Sequence, residues 1–430
     1  MARRFSKAVK FITLVATLLL FAFSAGQAFA SRVLIPMDDT QANHLKAYGI
    51  AYWVLAQDVE VEWLLNYRGG SFLLPGAPSI SSECTIRGVS FEIIADVQAA
   101  QILRGIADPE VNQQRVKLEV PPKVAVYSPD GKLPWDDAVT LVLTYAEIPY
   151  ELVYDAEVIR GDLATFDWLH LHHEDFTGQY GKFYRSYRNA AWYQEEQQRQ
   201  EANAAALGYD KVSQMKLDVA LTIRNFVAGG GFLFTMCSGT DSFDIALAAE
   251  GVDICESMFD GDPGDKLAQQ KLNFEGAFAF QDYQLERDPM VYEFSSIDAT
   301  QEHSKMKEIK DFFSLFDFSA KWDVIPTMLT QSHERVVHGF MGQTTSFRKR
   351  FVRSDVTVLG ETRSIETVKY IHGNFGQGQW TYYGGHDPED YRHLVNDPPT
   401  DLNLHPNSPG YRLILNNILF PASRQKERKT

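Results

Sequence analysis

Gly229-Gly230-Gly231-Phe232-Leu233-Phe234-Thr235-Met236-Cys237-Ser238-Gly239-Thr240-Asp241-Ser242 is the stretch on which the reading of this chain turns. Phe232 to Met236 is a short apolar run bounded by glycines, the form of a buried strand. Phe243-Asp244-Ile245-Ala246-Leu247-Ala248-Ala249 resumes as a helix. A strand that stops at a thiol and restarts as a helix sets Cys237 at a sheet edge, with helix N–H groups beside it. The segment has the form of an active-site elbow.

Upstream of the elbow, Lys211 to Ala228 carries Met215, Val219, Ile223 and Phe226 on one helical face, and Gly229 ends it. Phe166 to Leu171 reads as a strand. Lys123 to Tyr127 is another, followed by a turn at Ser128 to Gly131, a helix from about Trp135 to Ala146, and a strand at Tyr150 to Tyr154. Nearer the start, strand Arg32 to Pro36, a helix bearing Leu45, Tyr48, Tyr52 and Leu55, and strand Val59 to Leu65 make a βαβ-type opening. Strands alternating with helices predict an α/β fold: a mostly parallel, flavodoxin-like sheet with helices on both faces. The expected divisions are a leader at 1–30, the βαβ-type region at 31–115, the core with its elbow at 116–255, an irregular α+β elaboration at 256–366, and the rest of the core at 367–430. Residues 187–206 are polar and read as a solvated helix. Tyr411 to Phe420 reads as a core-packing helix.

Arg3, Arg4, Lys7 and Lys10, an apolar stretch from Phe11 to Phe23, and Ala28-Phe29-Ala30 before Ser31 form a cleavable export signal. The expected location is therefore periplasmic or secreted. The net charge of -15 becomes more negative once that basic leader is lost, which argues against nucleic acid and anionic membranes as partners. No second stretch reaches the ~20 apolar residues of a bilayer span, so stable membrane insertion is not expected after cleavage. Three cysteines leave at least one outside any disulfide; Cys84 and Cys255 could pair, leaving Cys237 free.

Ligands of parallel α/β folds lie beyond the carboxyl ends of the strands. That edge should collect Ser128-Pro129-Asp130, His170-Leu171-His172-His173-Glu174-Asp175, Cys237, and Gly384-Gly385-His386-Asp387 after the strand Trp380 to Tyr383. A cysteine nucleophile needs a base and an oxyanion site. Cys237 is the candidate nucleophile, His386 its base, Asp387 or Glu389 the residue orienting that base, and the Ser238 N–H an oxyanion donor beside Gly239. His172, His173 and Glu174 are expected to line the pocket. On a strand, His170 and His172 share a face, so His170, His172, His173 and Glu174 are also candidate ligands for a divalent metal. The alternative is a hydrogen-bonded His170 followed by a polar loop; no other cofactor is expected.

These residues resemble the class I glutamine amidotransferase-like superfamily, over Lys123 to Ala249 and Thr367 to Ala422. The resemblance implies a cysteine on the elbow and a histidine after a later strand. The family has glycine where this chain has Thr235, and glutamate where it has Pro388. Ser238-Gly239-Thr240-Asp241-Ser242 is also one glycine short of the phosphate loop of asparagine synthetase-type enzymes, and Val33 to Gly70 resembles exported bacterial proteins labelled asparagine synthetase B. The missing glycine removes part of a phosphate cradle, and the mature chain would begin with Ser31 rather than cysteine, so ATP-dependent asparagine synthesis is not expected. The expectation is a cysteine-dependent hydrolase or transferase acting on an amide or related acyl group. The alternatives are a metal-dependent hydrolase, or a non-catalytic protein holding a sugar or peptide with aromatics such as Tyr180, Phe183 and Tyr184.

Overall fold

The computed structural model describes residues 31–129 and 136–423. The leader, the Asp130 end of the Ser128 turn, Trp135 and the basic tail after Ser423 lie outside the described residues.

Strands β1 (Ser31–Ile35), β2 (Val61–Leu65), β3 (Ser71–Pro75), β4 (Glu92–Ala95) and β5 (Gln114–Leu118) form a first sheet in the order β4-β1-β3-β2-β5. Every pairing in it is antiparallel, with Val33 opposite Leu74 and Trp63 opposite both Phe72 and Val116. The opening is therefore not a parallel βαβ unit, because β3 lies between β1 and β2.

The second sheet is built from β6 (Val124–Tyr127), β7 (Glu151–Val153), β8 (Trp168–Leu171), β9 (Phe232–Met236), β10 (Phe312–Leu315), β11 (Val336–His338), β12 (Phe347–Arg348), β13 (Thr357–Thr362), β14 (Thr367–Phe375) and β15 (Gly378–Tyr383). Its order is β11-β10-β13-β14-β15-β9-β8-β6-β7, with β12 also paired to β14. Only the run β15-β9-β8-β6-β7 is parallel. The strands beyond β15 are antiparallel.

The expected mostly parallel, flavodoxin-like sheet is thus incorrect: the described residues form one antiparallel sheet and one mixed sheet. Two local features account for the difference. The segment at 256–366, read as irregular, contributes the short strands β10 to β13. In addition, β14 and β15 are joined by Gly376-Gln377, with Gly376 at φ +60°, so the strand before His386 is the second arm of a hairpin and not the end of a crossover.

Alternation along β6 separates the two sides of the mixed sheet. Val124 and Val126 face a core shared with the first sheet and with the helices His44–Leu55, Ala138–Tyr145 and Pro409–Leu419. Ala125 and Tyr127 face the other core, with the helices Val212–Ala228 and Ser238–Ala248.

Arg412 of the Pro409–Leu419 helix is fully buried and fastens that helix to the first sheet. It donates from Nη1 to the Met37 carbonyl at 3.0 Å, from Nε to the Tyr48 hydroxyl at 3.1 Å, and from Nη2 to the Gly69 carbonyl. Hydrogen bonds from a charged donor contribute roughly 1.5–3 kcal/mol, and losing the donor strands buried carbonyls. Arg412→Ala is expected to lower unfolding stability by about 3 kcal/mol or more, read as a reduced urea midpoint with the m-value retained. A change below about 0.5 kcal/mol, the usual range for neutral surface substitutions, would contradict this role.

Candidate functional site

The carboxyl ends of β8, β9 and β15 converge, as parallel pairing requires. Cys237 leaves β9 at φ +51° and ψ -141° and stands immediately before the Ser238–Ala248 helix. A non-glycine residue held there stores on the order of 1–3 kcal/mol of strain, which persists only where the surroundings enforce it. They do so from both sides. The Cys237 N–H donates to the Gly385 carbonyl at 3.2 Å, and the Gly239 N–H donates to the His172 carbonyl at 2.6 Å. A Cβ on Gly239 would lie 2.3 Å from that same carbonyl oxygen, so only glycine fits the approach.

The backbone N–H groups of Ser238 and Gln343 face the Cys237 sulfur. A cavity of about 320 Å³ opens over it, with His173, His386, His393, Phe183, Tyr292 and Arg392 in its wall. Cys237 itself is buried, and burial pushes its thiol up to about 12 against the pull of those two N–H groups.

Behind the cavity the imidazoles form a chain. His386 Nε2 lies 2.8 Å from the Asp136 carbonyl and His386 Nδ1 lies 3.0 Å from His172 Nε2. His172 Nδ1 is 3.4 Å and His170 Nε2 is 3.3 Å from Asp137 Oδ2, while His170 Nδ1 lies 3.1 Å from the Phe234 carbonyl. His393 stacks on His386 with ring centroids 3.9 Å apart. Burial, reinforced by the neighbouring imidazoles, holds His173 and His386 well below the usual histidine range, so both are neutral near pH 7.

Three overlapping groups could therefore hold a metal ion: Asp137, His170 and His172; His172, His173 and His386; and Asp136, His386 and His393.

Of the residues singled out in the sequence, Cys237, Ser238, Gly239, His170, His172, His173 and His386 meet here. The others lie elsewhere. Asp387 accepts from the Glu389 N–H and from Thr400 Oγ1, and Glu389 pairs with His405 at 2.9 Å, so neither partners the His386 ring. Glu174 points to the opposite side of the sheet, 3.9 Å from Lys216 and 3.3 Å from the Tyr154 hydroxyl. Phe183 reaches the cavity, whereas Tyr180 packs on Tyr193 and Tyr184 on Phe259. The three cysteines are unpaired, and Cys255 Sγ faces the Thr177 carbonyl instead.

Sequence reasoning missed Asp136, Asp137, Gln343 and His393. For Asp137 a signal was present: an acidic residue immediately before an apolar helical run is an N-cap, and Asp137 Oδ1 accepts the N–H groups of Val139 and Thr140 at 2.8 and 2.9 Å.

No protein-family model matches the sequence, and no curated protein matches it. Among solved structures, a cytoplasmic protein of Salmonella typhimurium is similar at 11% identity over 69% of this chain and 97% of its own, with a TM-score of 0.33. A GH42 beta-galactosidase of G. stearothermophilus, in a catalytic mutant, is similar at 11% identity over 62% of this chain, with a TM-score of 0.26. The beta-galactosidase of Bacillus circulans is similar at 12% identity over 67%, with a TM-score of 0.24. The chain spans 27% and 31% of those two enzymes.

Burial raises the Glu174 carboxyl to about 7, against the attraction of Lys216. The folded protein then binds this proton more tightly than the unfolded chain does, so the contribution of Glu174 to stability is full below its ordinary value of 4.5 and is lost as pH rises through about 7. Glu174→Gln is expected to remove a decline on the order of 3 kcal/mol between pH 4.5 and 7.5. Parallel stability-versus-pH curves for variant and wild type, measured by urea unfolding, would contradict it.

Proposed function

We propose that the cavity is the active site of an exported cysteine-dependent hydrolase or acyl transferase, acting on an amide or related acyl group of a small molecule, peptide or sugar derivative. The observation that carries this reading is the strained backbone of Cys237, which aims its sulfur at two main-chain N–H groups and into a cavity shared with neutral histidines. Strain of this kind is retained where a nucleophile must stand clear of its strand. The leader supports a location outside the cytoplasm, and among the described residues no helix is long and apolar enough to cross a membrane.

In this mechanism the thiol is protonated at rest, so sulfur attacks the acyl carbon as its proton passes to an imidazole. The developing oxyanion accepts from the Ser238 and Gln343 N–H groups at the positive end of the Ser238–Ala248 helix. Collapse expels the amine or alcohol, which takes that proton, and water or a second nucleophile cleaves the thioester. His386 is the base. Both of its ring nitrogens are engaged without substrate, so it accepts the proton after exchanging one partner for the sulfur. The Asp136 carbonyl on Nε2, rather than Asp387 or Glu389, orients it, and Nδ1 exchanges His172 for the sulfur.

The converging His and Asp atoms support a second reading, in which a divalent metal takes part.

The first reading is tested with p-nitrophenyl acetate. The expected outcome is a stoichiometric burst of nitrophenol with an acetyl group on Cys237, no burst in Cys237→Ala, and a burst slowed by on the order of 10²- to 10⁴-fold in His386→Ala. A burst that survives in Cys237→Ala, or acetylation confined to surface lysines, overturns it.

A further inference from the structure

We infer that Asp137, His170 and His172 form a buried three-ligand binding site for one divalent metal ion of the zinc type, set behind the cavity. The inference deepens the second reading above, while its geometry does not depend on Cys237.

The inference follows from which atoms carry hydrogens. A carbonyl oxygen only accepts, so the 3.1 Å contact of His170 Nδ1 with the Phe234 carbonyl places the hydrogen on Nδ1 and leaves Nε2 as a bare lone pair in the neutral ring. The Asp136 carbonyl likewise fixes the His386 hydrogen on Nε2, so His386 Nδ1 accepts and His172 Nε2 donates to it. In the neutral ring, His172 Nδ1 is then a second bare lone pair. Both face Asp137 Oδ2, a third acceptor, whose companion Oδ1 is occupied as the helix cap.

Three acceptors converging in a buried place repel one another unless a cation or a shared proton sits among them. No hydrogen bond fills the gap: His170 Nε2 and His172 Nδ1 are buried without a hydrogen-bond partner, and the two residues are 0% and 1% exposed.

The spacing suits a metal. Ligand bonds of about 2.0–2.1 Å in a tetrahedron place neighbouring ligand atoms roughly 3.3–3.4 Å apart. The nitrogens lie 3.3 and 3.4 Å from Asp137 Oδ2.

Each ligand is also braced from behind, His170 by the Phe234 carbonyl, His172 by His386 and Asp137 by two helix N–H groups, as metal ligands characteristically are. None of the three residues lines the cavity, so the ion's role is to position the imidazole chain and not to touch substrate. With its Nδ1 on a metal, His172 is locked as the tautomer that donates to His386.

The test uses the full mature chain, stripped with a chelator and titrated with zinc or cobalt. Mass spectrometric metal analysis should find one ion per chain in the wild type and in Cys237→Ala. Cobalt should give the visible absorption of a tetrahedral nitrogen/oxygen site without a thiolate charge-transfer band. His170→Ala should lower affinity on the order of 100-fold. Asp137→Asn should also weaken binding while keeping the helix capped through its amide oxygen, which separates metal loss from misfolding. His173→Ala should bind like the wild type.

Retained binding in both His170→Ala and Asp137→Asn, or loss in His173→Ala alone, assigns the ion to the cavity-facing histidines and overturns the proposal. A wild type that takes up no metal overturns it outright. Normal metal uptake in a chain whose Cys237 is never acylated would sink the cysteine reading alone.

Discussion

The Ser238–Ala248 helix has no solvent face. Every residue from Ser238 to Ala248 is buried, and the helix carries two carboxyls and three hydroxyls among its apolar side chains. A helix enclosed on all sides depends on partners for its polar atoms, because stranding a buried hydrogen-bonding group costs about 1–3 kcal/mol, and only Ser238 Oγ and Asp241 Oδ2 of its side-chain atoms are left without one. Asp244 accepts the N–H groups of Phe278, Ala279 and Phe280 at 2.8, 2.9 and 2.8 Å and the Tyr382 hydroxyl at 3.0 Å. Thr344 donates to Asp241, and Ser242 donates to the Glu174 carbonyl. The segment at 256–366 is therefore required by the elbow helix. It supplies the donors and the apolar cover without which that helix could not be placed so deep.

The same enclosure holds the elbow in its strained shape. Cys237 is tied through its N–H to Gly385, one residue before His386, and the His386 N–H donates in turn to the Met341 carbonyl. Lys369, buried beneath, donates to the Phe340 and Thr345 carbonyls and so holds the loop whose Gln343 N–H faces the sulfur. Nucleophile, oxyanion donors and imidazole thus share one backbone framework. Movement of any one of them breaks main-chain hydrogen bonds of the others.

What could be read from the sequence was local. The apolar run Phe232 to Met236, the glycines before it and the helix after it announced the elbow, and the alternation along a strand put His170 and His172 on one face, where their ring centroids lie 5.4 Å apart. The strand ends at Leu171, so Glu174 departs from that alternation in the following loop and turns toward Lys216, which adjacency in the sequence concealed. Antiparallel pairing was hidden because β10, β11 and β12 are only 4, 3 and 2 residues long and pair across long loops; their stability comes from cross-strand neighbours and not from any local period. Asp387 and Glu389 stand next to His386 in sequence, yet its ring partners are His172 and the Asp136 carbonyl, both more than 200 residues away.

The imidazole chain sets two demands against each other. A relay from His172 to His386 requires neutral rings with defined tautomers, which burial provides by penalising the charged form. Burial also penalises the charged form of Asp137, and the ring nitrogens that face it carry no hydrogen in the neutral tautomers fixed from behind. A single divalent ion meets both demands, because it neutralises the carboxylate while leaving each ring neutral and its hydrogen fixed on the opposite nitrogen.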